Sequence, residues 1–81
     1  MKARVYVSLK STVLDPQGQT IRAALNSHGY RDISDVRQGK YFEIALDPAT
    51  TREKAHQDID TIARDVLTNP VIEEFRIEFL D

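Results

Sequence analysis

The chain has 81 residues, eleven Lys plus Arg against thirteen Asp plus Glu, two histidines and no cysteine, for a formal charge of -2. That length suits one domain, residues 1–81, and a hydrophobic content of 41% supports one modest core while exceeding that of a disordered tail. The absence of cysteine excludes a disulfide scaffold, thiolate metal sites, iron–sulfur clusters and a thiol nucleophile. The longest apolar runs (Val5–Val7, Ala23–Leu25, Ile44–Leu46) are far shorter than a membrane span or a signal-peptide core. The expectation is a cytoplasmic protein without membrane contact, and the slight acidic excess provides no field for gathering phosphates.

Lys2 to Lys10 alternates, with Ala3, Val5, Val7 and Leu9 on one side, and reads as a half-buried strand. Asp15 is a good helix N-cap, Pro16 suits the first helical position, and Ile21, Ala24 and Leu25 form a short apolar stripe ending at Gly29. A helix is predicted from Pro16 to His28. Ile33 to Gln38 is a weaker strand, Gly39 a turn, and Tyr41 to Leu46 a stronger strand with Phe42, Ile44 and Leu46 on one face, so the two read as a hairpin. Thr50 and Glu53 suggest a capping box, followed by a helical apolar face of Ala55, Ile59, Ile62, Ala63, Val66 and Leu67. Asp60 and Arg64 are spaced to pair on its solvated side. Asn69-Pro70 ends this helix, and the last strand turns Phe75, Ile77 and Phe79 inward and Glu74, Arg76 and Glu78 outward.

The order βαββαβ is that of the ferredoxin-like α+β fold. Right-handed crossovers then place both helices on one face of a four-stranded antiparallel sheet in the order 4-1-3-2. Tyr6, Tyr41, Ala45 and Leu80 point to the opposite, uncovered face among alternating charges, a pattern expected of a self-association surface.

Few residues suggest chemistry. His28 falls in the last turn of the first helix, where a cation suits the dipole, and His56 beside the apolar stripe of the second; neither has a second ligand at suitable spacing. Glu73, Glu74, Glu78 and Asp81 crowd the C-terminal strand, where Glu74 and Glu78 are expected to meet Lys2 and Arg4 as cross-strand pairs. Gly18 is unusual because glycine in a helix's first turn costs about 1 kcal/mol against alanine. It marks either an accommodating turn or a close approach by another chain or a ligand at the helix N-terminus. The RNA-recognition motif shares this strand order, and Val5-Tyr6-Val7-Ser8-Leu9 looks similar to its first-strand signature. Gln38-Gly39-Lys40-Tyr41-Phe42-Glu43 breaks its third-strand signature at the first aromatic position, and the surrounding glutamates oppose phosphate binding.

Three segments together carry a further likeness: Val13-Leu14-Asp15-Pro16-Gln17-Gly18, Asp35-Val36-Arg37-Gln38-Gly39-Lys40 and Asn69-Pro70-Val71-Ile72-Glu73-Glu74. In this order and spacing the whole chain resembles the PurS family, the small subunit of phosphoribosylformylglycinamidine synthase. The resemblance implies a noncatalytic bridge between a glutaminase subunit and a synthetase subunit in de novo purine synthesis, assisting ammonia transfer and associating as a homodimer or larger homo-oligomer. It implies that the whole complex uses ATP, Mg and glutamine while this chain binds no cofactor, metal or nucleic acid by itself. The motifs place the expected subunit contacts at Leu14, Asp15, Pro16, Gly18, Arg37, Gly39, Lys40, Tyr41, Asn69 and Pro70. A small-ligand regulatory or RNA-binding module on the same fold is the alternative.

Overall fold

The structure, a computed structural model, describes residues 1–80; Asp81, one of the C-terminal carboxylates above, lies outside the described residues. The elements are β1 (Lys2–Leu9), α1 (Pro16–Ser27), β2 (Gly39–Ala45), α2 (Arg52–Ile62), a wider π-helical turn (Ala63–Leu67) that continues α2, and β3 (Glu73–Leu80). The three strands form an antiparallel sheet in the order β2-β1-β3. Val5 lies opposite Phe42 and Ile77, and Tyr6 opposite Tyr41 and Arg76. The strand period of two therefore separates an apolar face from a polar one.

The apolar face is covered by α2. Ala3, Val5, Val7, Ile59 and Ala63 are buried together, with Phe42, Ile44, Leu46, Leu67, Phe75, Ile77 and Phe79 packed at their margins. Full burial of Val5, Val7 and Ile59 contributes about 1.5–3 kcal/mol each. His56, on α2, stacks on Phe79 of β3 with ring centroids 3.8 Å apart. The N-cap of α2 is Thr51, whose side chain accepts from the Lys54 amide at 3.2 Å, one residue beyond the expected Thr50. Past Ile62 the helix widens, which leaves Val66 73% exposed although its spacing placed it in the stripe. The Thr68 hydroxyl closes this turn by donating to the carbonyls of Ala63 (2.8 Å) and Arg64 (3.2 Å). The expected Arg64–Asp60 pair forms at 3.1 Å on the solvated side.

Two expectations are corrected. Residues 33–38 form no strand, so the hairpin and the order 4-1-3-2 do not occur; β1 is central, and β2 is an edge strand rather than a central one. The cause lies at the N-terminus of α1. The Gln38 amide donates to the Asp15 carboxylate at 2.7 Å, and the Val36 carbonyl lies over Gly18. This draws the segment to the helix instead of the β2 edge, and Asp32 and Asp35 are poor strand formers in any case.

Nor do both helices lie on the sheet. Among the described residues α1 contributes none to that core, with Ile21 exposed and Leu25 half-buried, and with the segment returning from it the helix forms an arm. Gly29, at φ 98°, makes the left-handed turn that lets the chain double back along the helix. The Arg22 Nε–Ile33 O bond (3.4 Å) and the Gln38 Nε2–Gln17 Oε1 bond (2.8 Å) fasten the return segment to α1. The molecule measures 51 × 27 × 13 Å.

Candidate functional site

The three motif segments meet at one end of the sheet, where β1 finishes and β2 and β3 begin. Asp15 is the fixed point. It is buried, at 3% exposure, and its two carboxylate oxygens accept from the Gly18 amide (2.9 Å) and the Gln38 amide (2.7 Å). One side chain thereby caps α1 and binds the return segment. The Gln38 bond first, then the Gly18 bond, with the Arg37 charge assisting, holds this carboxyl below its ordinary pKa against the opposing effect of burial.

Gly18 is needed here because a Cβ would collide with the Val36 carbonyl oxygen and crowd the Asp15 carboxylate at 2.9–3.0 Å. The close approach suggested by its position is thus made by the chain's own backbone. Gly39 is needed likewise, since a Cβ there would meet the Val7 carbonyl oxygen at 2.6 Å. Arg37 reaches across to the loop after β1, where its Nη2 donates to the carbonyls of Lys10 (2.9 Å) and Val13 (3.0 Å).

The third motif approaches from the other side. The Lys10 amide donates to the Ile72 carbonyl at 2.9 Å, so both backbone groups of Lys10 are engaged, one by each flanking motif. Asn69-Pro70 makes the turn into β3. The Asn69 carbonyl accepts from the amides of Ile72 (3.1 Å) and Glu73 (2.7 Å), its side chain accepts from Val71 (3.1 Å), and its own amide donates to Glu73 Oε1 (2.7 Å). Lys10, Val13, Val36 and Glu73 are thus parts of the site that side-chain chemistry did not indicate. They serve through backbone groups or local bonds; Val13, Val36 and Glu73 fall within the three motif segments, and Lys10 had no sequence signal of its own.

What this end presents outward is apolar and polar by turns. Leu14 is 70% exposed and Val71 77% exposed, while Pro16, Arg37, Lys40 and Pro70 are also on the surface. A cleft of about 260 Å³ opens between the sheet end and α1, lined by Ser8, Asp15, Gln17, Gln38, Lys40 and Glu73 among others. Among the described residues no group of three or more His, Asp or Glu side chains is placed to hold a metal ion.

The polar sheet face carries Tyr6, Tyr41, Ala45 and Leu80 together, as the alternation predicts. Tyr6 lies beside Tyr41 (centroids 5.8 Å apart) and under the Arg76 guanidinium (4.2 Å), and donates from its hydroxyl to Glu78 (3.2 Å). Arg4 sits between Glu43 (3.9 Å) and Glu78 (3.8 Å), and Lys2 reaches Glu43 (3.6 Å). The register places Glu74 opposite Ser8 rather than opposite Lys2 or Arg4.

The residues with unusual roles here all brace a surface, and the class they define is a small α+β assembly subunit. The comparisons make the class specific. The PurS family profile, described as phosphoribosylformylglycinamidine (FGAM) synthase, matches residues 2–81. The PurS subunit of the same synthase from Bacillus subtilis is 43% identical over 81 residues, covering 95% of this chain and 89% of the relative. That of Mycobacterium leprae is 43% identical over 76 residues, covering 94% and 91%. A chain in the structure of PurLQS from Thermotoga maritima superposes with a TM-score of 0.87 at 30% identity, covering 98% of this chain and 95% of that one. The chain belongs to the PurS family.

Proposed function

We propose that this chain is the small noncatalytic subunit of phosphoribosylformylglycinamidine synthase in purine biosynthesis, bridging a glutaminase subunit and a synthetase subunit and helping ammonia pass between them. The observation that carries this reading is the full-length likeness to a chain of the Thermotoga PurLQS assembly. Its chemistry is consistent with the role. With no cysteine the chain has no thiol with which to release ammonia from glutamine. As the family resemblance implies, we assign the ATP, Mg and glutamine used by the whole complex to the larger subunits, and the complex to the cytoplasm. Ammonia released into water at neutral pH becomes mostly ammonium, a poor nucleophile, so a subunit that closes the path between two sites has kinetic value.

The braced sheet end is the proposed contact with the larger subunits: Leu14, Pro16, Arg37, Lys40 and Pro70 at its surface, with Asp15, Gly18, Gly39 and Asn69 holding it in shape. Exposed apolar side chains beside rigid backbone suit this role, because little freedom is lost on binding. Tyr6, Tyr41, Ala45 and Leu80 form the proposed face for contact between copies of the chain. The test compares amidine formation by the two larger subunits, with and without this chain, from glutamine and from added ammonia. The glutamine-dependent rate is expected to depend on the chain and the ammonia-dependent rate to be indifferent to it. No response of either rate overturns the reading.

A further inference from the structure

In an antiparallel ladder the backbone bonds alternate residue by residue, so a single bond fixes which groups face the neighbouring strand and which are left over. The Lys10 amide donates to the Ile72 carbonyl one step beyond the Leu9–Glu73 pair, which sets the phase of the whole β1–β3 ladder. Glu74, Arg76, Glu78 and Leu80 therefore turn their N–H and C=O groups toward β1. Phe75, Ile77 and Phe79 turn theirs away from it, to the outer edge of the sheet. Among the described residues no backbone group outside the ladder meets them there.

This edge has few of the devices that keep a sheet from accepting another strand. Strand β3 is eight residues long, pairs with β1 without a bulge, and contains neither Pro nor Lys. Its apolar side is begun but unfinished at that margin. Phe75, Ile77 and Phe79 are half-buried, α2 reaches as far as Phe79 through the stacked His56, and Val71 and Ile72 are exposed just ahead of the strand. Its polar side has an acidic excess. Arg76 is held over the Tyr6 ring, and Glu78 accepts from the Tyr6 hydroxyl beside Arg4. Glu74 is exposed opposite Ser8, which brings no charge to it.

We infer that an extended segment of one of the larger subunits adds to this edge as a fourth strand. Its main chain pairs with the outward groups of Phe75, Ile77 and Phe79, its apolar side chains cover that half-buried row, and a basic side chain meets Glu74. The edge leads straight out of the Asn69-Pro70 turn and so continues the braced end. A second copy of β3 would bring the same excess, three Glu against one Arg, so like charge disfavours it as the occupant. The inference rests on the proposed bridging role, and it adds the mode of contact and the chemistry of the segment.

Residue-resolved amide exchange on the assembled synthase reads the alternation directly. In the chain alone the amides of Phe75, Ile77 and Phe79 are expected to exchange about tenfold or more faster than those of Arg76 and Glu78. With both larger subunits in excess, the three outward amides are expected to slow to the level of their neighbours. Unchanged exchange in the complex overturns the inference. So does the same slowing reached in the chain alone as its concentration is raised, which would give the edge to a second copy. N-methylation of the Ile77 amide, introduced by peptide ligation, removes one outward donor and no ladder bond. It is expected to weaken binding of the larger subunits about tenfold without lowering the chain's own melting temperature, and undiminished affinity overturns the added strand. Glu74→Lys is expected to weaken binding several-fold, with the loss shrinking in high salt; equal affinity overturns the basic contact. Glutamine-dependent amidine formation in the same wild-type mixtures separates the two readings. A rate that needs the chain while the outward amides stay unprotected removes the added strand alone. Absence of both binding and any effect on the rate removes the bridging role and the strand with it.

Discussion

Replacing Gly18 by alanine sets two well-characterised effects against each other. On helix propensity alone alanine is favoured by about 1 kcal/mol. Against it stands the geometry: the new Cβ would lie within contact distance of the Val36 carbonyl oxygen and 2.9–3.0 Å from the Asp15 carboxylate. Neither neighbour is a flexible side-chain tip. One is backbone, and the other is buried and already accepting two amide bonds. Overpacking against such atoms falls at the upper end of its usual range, about 3 kcal/mol. The net expectation is a destabilisation of about 2 kcal/mol, which for a domain of this size lowers the melting temperature by about 8–16 °C. Calorimetric melting at fixed protein concentration measures it, the concentration being held because self-association contributes to stability. Gln19→Ala, one residue along on an exposed position, is the control and is expected to change stability by no more than about 0.5 kcal/mol. A melting temperature that rises in Gly18→Ala would refute the brace, since helix propensity would then have outweighed the supposed collision.

Two further outcomes bear on the same surfaces. Because the Asp15 carboxyl is held below its ordinary pKa by the Gln38 and Gly18 amides, its contribution is fully present above the unfolded value of about 3.9 and is lost as pH falls through the lowered folded value. Wild type is therefore expected to show a higher urea midpoint than Asp15→Asn at pH 7, with the difference closing below about pH 4; equal midpoints at pH 7 would contradict the clamp. On the polar sheet face, Tyr41→Asp would bury an unpaired carboxylate wherever two copies meet, at a cost of about 3 kcal/mol or more, roughly a hundredfold in association. Light scattering at micromolar concentration is expected to show a fall in mass, and an unchanged mass would remove this face from the set of contacts.

Much of the fold was legible because periodicity and capping are local. The alternation in β1 and β3 placed Ala3, Val5, Val7, Phe75, Ile77 and Phe79 in or against the core, though Leu9 at the strand end does not join it, and Asp15-Pro16 marked the start of α1. The same local signals misled where a long-range bond intervened. Ile33 to Gln38 has an apolar residue where a weak strand needs one. Nothing in that stretch reveals that its last amide binds a carboxylate 23 residues earlier. The stripe on α1 was read as facing its own sheet because amphipathicity states that a face is buried, not what buries it. Val66 shows the limit at smaller scale: a single widened turn was enough to carry it out of the stripe. At the site, the motifs identified where special residues cluster, but their partners are backbone groups of Lys10, Val13 and Val36, which have no side-chain signature.

The energetics and the proposed role meet in the arrangement of this chain. Among the described residues six apolar side chains are buried, and ordering each residue's backbone costs about 1–2 kcal/mol, so the isolated chain has little margin. Yet its most constrained features do not enlarge that core. Two close-approach glycines, a buried carboxylate and an Asn-Pro turn all hold the sheet end and the root of the arm. A self-sufficient enzyme domain would gain more from placing α1 over β2, as its sequence pattern permits. Those constraints set the shape of one surface rather than the size of the core. For a bridging subunit this is useful, because a sheet end already held rigid by its own backbone bonds loses little freedom when a larger subunit binds it.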